Sequence, residues 1–271
     1  MLGLFDSGLG GLTVLRRLRE VLPSHDVVFF ADQAHAPYGE RSPDELVQLM
    51  RRNLQWLDDR GVRAIVMACN TSCAMAERYG WPAVDAAVID LIESAAIAIE
   101  RTGLHRIGVI ATTATARSGA YARQIVRRMP TARVVEVGAP ALVPLVEAGM
   151  LHGERPLEAV REVCSLLPRD VEAVILACTH YPLLDEHFAA VLGATVARID
   201  PAVVQAERAA AAVGDAPGTE TGSTECVTNG DLDRFMHSLE RLVPDLHTRP
   251  HHASDTRYFG RTPKASAVPE I

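Results

Sequence analysis

Val62-Arg63-Ala64-Ile65-Val66-Met67-Ala68-Cys69-Asn70-Thr71 has a near twin further along the chain, Val171-Glu172-Ala173-Val174-Ile175-Leu176-Ala177-Cys178-Thr179-His180. Each stretch is an apolar run that ends in Ala-Cys and a polar pair. An unbroken apolar run of this length, without alternation, reads as a strand of a parallel sheet buried on both faces. Each thiol then sits at the C-terminal end of its strand, the edge at which open α/β sheets bind ligands. Two such lobes facing one another bring two thiols to one cleft from opposite sides, the geometry that inverting a carbon centre requires.

The doubling reaches beyond the cysteines. Leu2-Gly3-Leu4-Phe5-Asp6 has the shape of Ile107-Gly108-Val109-Ile110-Ala111, and a turn of small residues follows each, Ser7-Gly8-Leu9-Gly10-Gly11 and Thr112-Thr113-Ala114-Thr115. Pro23 and Pro130, Val27-Val28 and Val134-Val135, then Pro37 and Pro144 continue the match. A constant offset over so many fragments, about 105 to 109 residues, favours duplication of a βαβα unit. The expected fold is α/β: two pseudo-symmetric, doubly wound parallel-sheet lobes with the active site in the cleft between them. Residues 1–94 with 199–243 are assigned to the first lobe and 95–198 to the second. Ala194 to Pro201 reads as a further strand and turn, Ala202 to Val213 as a helix, and Cys226 to Val243 as a strand and a last helix rejoining the first lobe. Residues 244–271 lack periodicity and read as a mobile tail.

Composition bounds the function. The 271 residues are 23% charged and 48% hydrophobic, ordinary for a globular protein, and the net charge of -7 argues against a nucleic-acid partner. No apolar stretch approaches a membrane span and no basic leader opens the chain, so the expectation is a cytoplasmic protein. Five scattered cysteines, at 69, 73, 164, 178 and 226, form no disulfide framework. Cys69 and Cys73 admit half a zinc site, completed by Cys178 and His180, but no second tight pair closes the tetrahedron. Cys164 and Cys226 read as small core residues. The turn Gly8-Leu9-Gly10-Gly11 lacks the glycine that a dinucleotide fingerprint needs at Thr13; it reads instead as a turn whose amides approach a small anion at a helix start.

A thiolate acts as a carbon base where its surroundings lower the thiol's affinity for the proton. Asn70-Thr71 and Thr179-His180, next to the two cysteines, suit the carboxylates and ammonium of an amino acid. His180 is near enough in sequence to poise Cys178 or pass it protons, and Asp6, ending a neighbouring strand, is placed to do the same for Cys69. Two inert core cysteines are the bland alternative.

Phe5-Asp6-Ser7-Gly8-Leu9-Gly10-Gly11-Leu12-Thr13, Pro37-Tyr38-Gly39, Ala68-Cys69-Asn70-Thr71, Leu142-Val143-Pro144-Leu145-Val146-Glu147-Ala148-Gly149 and Cys178-Thr179-His180-Tyr181-Pro182-Leu183-Leu184 resemble, in order and spacing, the signature blocks of the glutamate racemases of the aspartate/glutamate racemase superfamily. The resemblance covers roughly residues 2 to 240. It implies cofactor-independent interconversion of L- and D-glutamate, the D isomer serving peptidoglycan synthesis. It also implies that Cys69 works on the D isomer and Cys178 on the L isomer, assisted by Asp6, His180 and Glu147. Ser7, Tyr38, Gly39, Asn70, Thr71, Thr112, Thr115 and Thr179, with Asp6 and His180, match the substrate-binding set. Glu147 as a helix-surface charge and Tyr38 as loop packing stay open, as does a homodimer.

Departures from the family pattern are few. Ala177 stands where glycine is usual, Ser72-Cys73 where Ala-Ser is usual, and Ile92-Glu93-Ser94 where a proline-containing segment is common. Neither a cofactor nor a metal is expected. Lys264 is the sole lysine, which disfavours a Schiff base with pyridoxal phosphate. Racemisation of aspartate or another amino acid, and a catalytically inactive amino-acid-binding relative, are the remaining readings.

Overall fold

The computed structural model describes residues 1–214, 221–246 and 248–253. Strands and helices alternate along the chain: β1 (Leu2–Asp6), α1 (Gly11–Val21), β2 (Val27–Ala31), α2 (Pro43–Asp58), β3 (Ala64–Met67), α3 (Asn70–Tyr79), β4 (Ala87–Asp90) and α4 (Leu91–Thr102) come first. Then follow β5 (Arg106–Ala111), α5 (Thr113–Ser118), α6 (Ala120–Arg128), β6 (Arg133–Gly138), α7 (Leu142–Glu147), α8 (Glu154–Cys164), β7 (Ala173–Ala177), α9 (Asp185–Leu192) and β8 (Ala197–Ile199). The described chain closes with α10 (Pro201–Val213), β9 (Thr224–Thr228), α11 (Leu232–Leu242) and β10 (His251–His252).

Two parallel sheets result, ordered β10-β9-β2-β1-β3-β4 and β6-β5-β7-β8. The order 2-1-3-4 in one repeats as 6-5-7-8 in the other, so the duplicated sequence folds into a duplicated topology. β4 is the counterpart of β8 and had no separate reading in the sequence. It is four residues long and runs straight into a helix, because the Asp90 side chain caps α4 by accepting from Ile92 N and Glu93 N.

The unbroken apolar strands are buried on both faces. Phe5, Phe30, Ile65 and Met67 point into one cluster, while Leu4, Phe29 and Val66 point into another on the opposite side of the first sheet. In the second sheet Ile107, Val109 and Ile175 enter the first of these clusters, and Ile110, Val174 and Leu176 enter a third. One core is therefore common to both sheets, with Ile92, Ala95, Ala96 and Ile99 of α4 inside it. Truncating the fully buried Ile99 to alanine would cost about 2–5 kcal/mol.

After β8, α10 packs on α4 and α1, and β9 pairs in parallel with β2, Phe29 opposite Cys226. Beyond Pro244, where a tail was expected, β10 adds His251 and His252 alongside Val227 and Thr228, pairing the outer edge of β9. The rest of that expected tail, 254–271, lies outside the described residues. No helix among the described residues is long and apolar enough to cross a membrane.

Candidate active site

Both thiols lie just past their strands. Register pairs Phe5 with Met67 and Ala111 with Ala177, so Cys69 falls two residues beyond β3 and Cys178 one beyond β7. Cys69 is the N-cap of α3, so its sulfur stands where orphan amides and the helix dipole favour negative charge. The two cysteines are only 3% and 6% exposed, so the site is closed over in this arrangement. A cavity of about 300 Å³ lined by His105, Arg106, Thr131, Arg133 and Asp170 lies elsewhere, at the N-terminal ends of β5 and β6.

The surroundings of Cys69 come from β1 and α3. Its Sγ donates to Ser7 Oγ at 3.3 Å. Burial first, and then the charge of Asp6, push this thiol up to about 11 against the stabilising Ser7 and Ser72 contacts. Asp6 Oδ2 accepts from Gly11 N at 2.7 Å and Gly8 N at 3.4 Å. The glycine turn was expected to hold a ligand's anion, but those two amides cradle the Asp6 carboxylate. Burial raises the Asp6 carboxyl, opposed by the nearby His180 and the turn amides.

Cys178 has different company. Its Sγ is 3.7 Å from His180 Nδ1, and His180 Nε2 is 3.4 Å from Glu147 Oε1, close enough for an ion pair though not aligned as a hydrogen bond. Burial works against the imidazolium, but Cys178 and Glu147 outweigh it and hold His180 up to about 10. The close contact with His180, opposed by burial, keeps the Glu147 carboxyl below its ordinary range, and Arg234 Nη2 donates to the other oxygen at 2.8 Å. Glu147 thus stands between Arg234 of α11 and His180, which in turn contacts the Cys178 sulfur.

Hydroxyl groups line the contact between the two sheet units. Thr112 caps α5, accepting from Thr115 N, and its Oγ1 donates to Thr115 Oγ1 at 3.0 Å. Thr115 Oγ1 in turn lies 3.5 Å from Thr71 Oγ1. Thr13 Oγ1 donates to the Thr179 carbonyl at 2.9 Å, and the Tyr121 hydroxyl donates to Asn70 Oδ1. Gly39 lies on the short 3-10 turn Tyr38–Glu40, which packs on α3 and α5. The Tyr38 hydroxyl, however, donates to the buried Asp32, and Asn53 donates to both, so this side chain fixes its loop.

Asp6, Ser7, Cys69, Asn70 and Thr71 thus follow strands of one sheet and Thr112, Cys178, Thr179 and His180 strands of the other, with Glu147 against His180, while the Tyr38 hydroxyl is bonded to Asp32. Thr13, Tyr121 and Arg234 join them, and of these only Thr13 lies in a segment that carries the family resemblance, Phe5 to Thr13. Among the described residues, no three His, Cys, Asp or Glu side chains converge as metal ligands.

Comparison with known proteins agrees with this architecture. Residues 12–209 match the Asp/Glu/Hydantoin racemase family. A glutamate racemase of Gloeobacter violaceus is 43% identical over 240 residues, 88% of this chain and 90% of that one. The glutamate racemase of Desulforudis audaxviator is 43% identical over 202 residues, 74% of each. Among solved structures, the Thermus thermophilus glutamate racemase in complex with β-chloro-D-alanine superposes with a TM-score of 0.80 at 35% identity, covering 93% of this chain and 95% of that one. The Francisella tularensis glutamate racemase in complex with D-glutamate gives 0.80 at 30% identity over the same shares.

Proposed function

The chain belongs to the Asp/Glu/Hydantoin racemase family, and on that premise we propose that it interconverts L- and D-glutamate with Cys69 and Cys178 as its two acid/base groups. It is an amino-acid racemase, and D-glutamate for peptidoglycan is the product we assign to it. The observation that supports the two-thiol reading is the duplicated topology, which puts a cysteine just past each of two equivalent strands, beside residues that touch across the two sheet units.

With D-glutamate bound, Cys69 as thiolate removes the α-proton and becomes a thiol. Cys178, a thiol at that moment, gives its proton to the opposite face and becomes a thiolate. The reverse direction exchanges the roles, and one proton passes between the thiols and solvent to restore the starting state. The α-proton is weakly acidic, so carbanionic charge at the α-carbon and its carboxylate must be stabilised as it develops. Thr71 and Thr179 are the donors proposed for that task, with Asn70 gripping a carboxylate in ground and transition state alike, in a site from which burial excludes water. His180, held as a cation, offers a charge partner when Cys178 loses its proton. At Cys69 the Asp6 charge opposes thiolate formation, so the substrate ammonium is the cation assigned to balance it.

Incubating D-glutamate with the enzyme in heavy water tests the reading. Optical inversion with one deuterium gained at the α-carbon of the L product is expected. Tight binding with neither inversion nor exchange would instead assign the chain to catalytically inactive relatives, and turnover of aspartate alone would change the substrate.

A further inference from the structure

Tyr121 is the second residue of α6, in the second sheet unit, and is fully buried. Its hydroxyl donates to Oδ1 of Asn70, the first residue of α3 in the first unit and the immediate neighbour of Cys69. Asn70 itself is buried, so the bond forms away from water. Burial also keeps the phenol well above its ordinary range, so it remains a donor throughout the neutral region.

A side-chain amide has one acceptor and one donor group, and turning it over exchanges them. With Oδ1 held by Tyr121, the group left for a ligand is the NH2. A carboxylate accepts and cannot donate, so the two orientations of this amide are not equivalent towards an amino acid: one attracts its carboxylate and the other repels it. We propose that Tyr121 is a positioning residue for substrate binding, fixing the Asn70 amide so that its NH2 is presented to a carboxylate of the amino acid. Because the donor and the held amide sit in different sheet units, the grip beside Cys69 is complete only when both units meet as they do here.

The inference rests on the assignment of Asn70 to substrate binding. The test is steady-state kinetics in both directions on the wild type, Tyr121→Phe, Asn70→Ala and the double variant, with thermal unfolding of each. Phenylalanine keeps the ring in the core and removes only the hydroxyl. The expected result for Tyr121→Phe is a rise in KM of about three- to tenfold, the value of one neutral hydrogen bond, with kcat changed less than about twofold. In the Asn70→Ala background the same change is expected to leave KM where it is, since Tyr121 then has nothing to position. Asn70→Asp gives a second arm that leaves Tyr121 intact: it keeps an acceptor for the phenol but has no NH2, and KM is expected to rise at least as far as in Asn70→Ala.

An unchanged KM in Tyr121→Phe, an equal rise with and without Asn70, or a wild-type KM in Asn70→Asp would overturn the proposal. A loss of unfolding temperature and kcat together, at constant KM, would also overturn it by making Tyr121 purely structural. A wild-type protein inert towards glutamate would remove the underlying reading and this inference with it, whereas an active wild type with any of the preceding outcomes removes only the role of Tyr121.

Discussion

A β-carbon on Gly10 would stand 2.1 Å from Oγ1 of Thr179 and 2.7 Å from Nδ1 of His180. The turn after β1 is therefore pressed against the residues that follow the second thiol. The backbone of Gly10 is helical, at φ -60° and ψ -31°, so alanine fits its dihedrals and any penalty comes from the side-chain collision. Gly10→Ala is expected to displace Thr179 and His180 and to lower kcat/KM at least about tenfold, in line with the cost of moving catalytic groups by about an ångström. Kinetics beside a thermal melt check this; a wild-type kcat/KM would show that the close approach is dispensable.

The unlike partners of the two sulfurs make the serine variants distinguishable. Cys178→Ser keeps Cys69 with Ser7 and the N-terminus of α3, so D-glutamate is expected to exchange its α-proton with heavy water without inverting. Cys69→Ser keeps Cys178 with His180, and L-glutamate is expected to exchange instead. Racemisation should fall on the order of 10²- to 10⁴-fold in both, the range for loss of a general acid or base. Proton NMR of each isomer separately reads the exchange, and equal exchange of both isomers by one variant would contradict a division of labour between faces.

The strands that carry the thiols are legible in the sequence because Ala64–Met67 and Ala173–Ala177 are apolar at every position, which leaves a strand buried on both faces as the economical reading. β4 is hidden for the opposite reason: Ala87–Asp90 is short, and its last residue already belongs to the next helix as a cap. The glycine turn is legible as a site for a carboxylate, but sequence cannot say whose, and in the fold it is that of Asp6. Tyr121 and Arg234 reach Asn70 and Glu147 from far along the chain, 51 and 87 residues away, so no local pattern marks them. Their positions are consequences of how the two units meet.

His180 ties stability to pH. Its imidazolium is favoured in the fold, so between an unfolded value of 6.5 and a folded value of about 10 the folded chain holds a proton that the unfolded chain releases. Its contribution is complete below pH 6.5 and is lost as pH rises through 10. Urea unfolding of the wild type and His180→Gln at pH 6, 8 and 10 should show a difference that is largest at pH 6 and shrinks steadily; a gap that widened with pH would reverse the assigned charge.

Arg234 acts on Cys178 at two removes, through Glu147 and His180. Its side chain is 55% exposed and that of Glu147 32%, so the pair is worth little as a stabiliser, about 1 kcal/mol or less. Arg234→Gln should barely alter unfolding but should lower kcat/KM about two- to fivefold, within that energy and equally from either isomer, since the equilibrium constant of a racemisation is 1. Salt screens the same contact. Raising the ionic strength should therefore bring the wild type towards the variant, and a variant as fast as the wild type at low salt would detach Arg234 from Cys178.

Glu136 offers a test of the core away from the thiols. On β6 its Oε1 accepts from Ala122 N at 2.8 Å, while Oε2 is buried without a hydrogen-bond partner among the described residues. Burial pushes the carboxyl up to about 7 from an ordinary 4.5. For an acid raised in this way the folded chain retains a proton the unfolded chain has lost, so stability falls as pH climbs from 4.5 to 7 and the full penalty stands above 7. Glu136→Gln removes the charge and keeps an acceptor for Ala122 N. Its melting temperature should exceed that of the wild type at pH 8 by a few degrees, the shift expected for about 1 kcal/mol in a chain of this size, and the gain should vanish near pH 4.5. A gain of the same size at both pH values would trace the effect to packing and leave the buried charge without a cost.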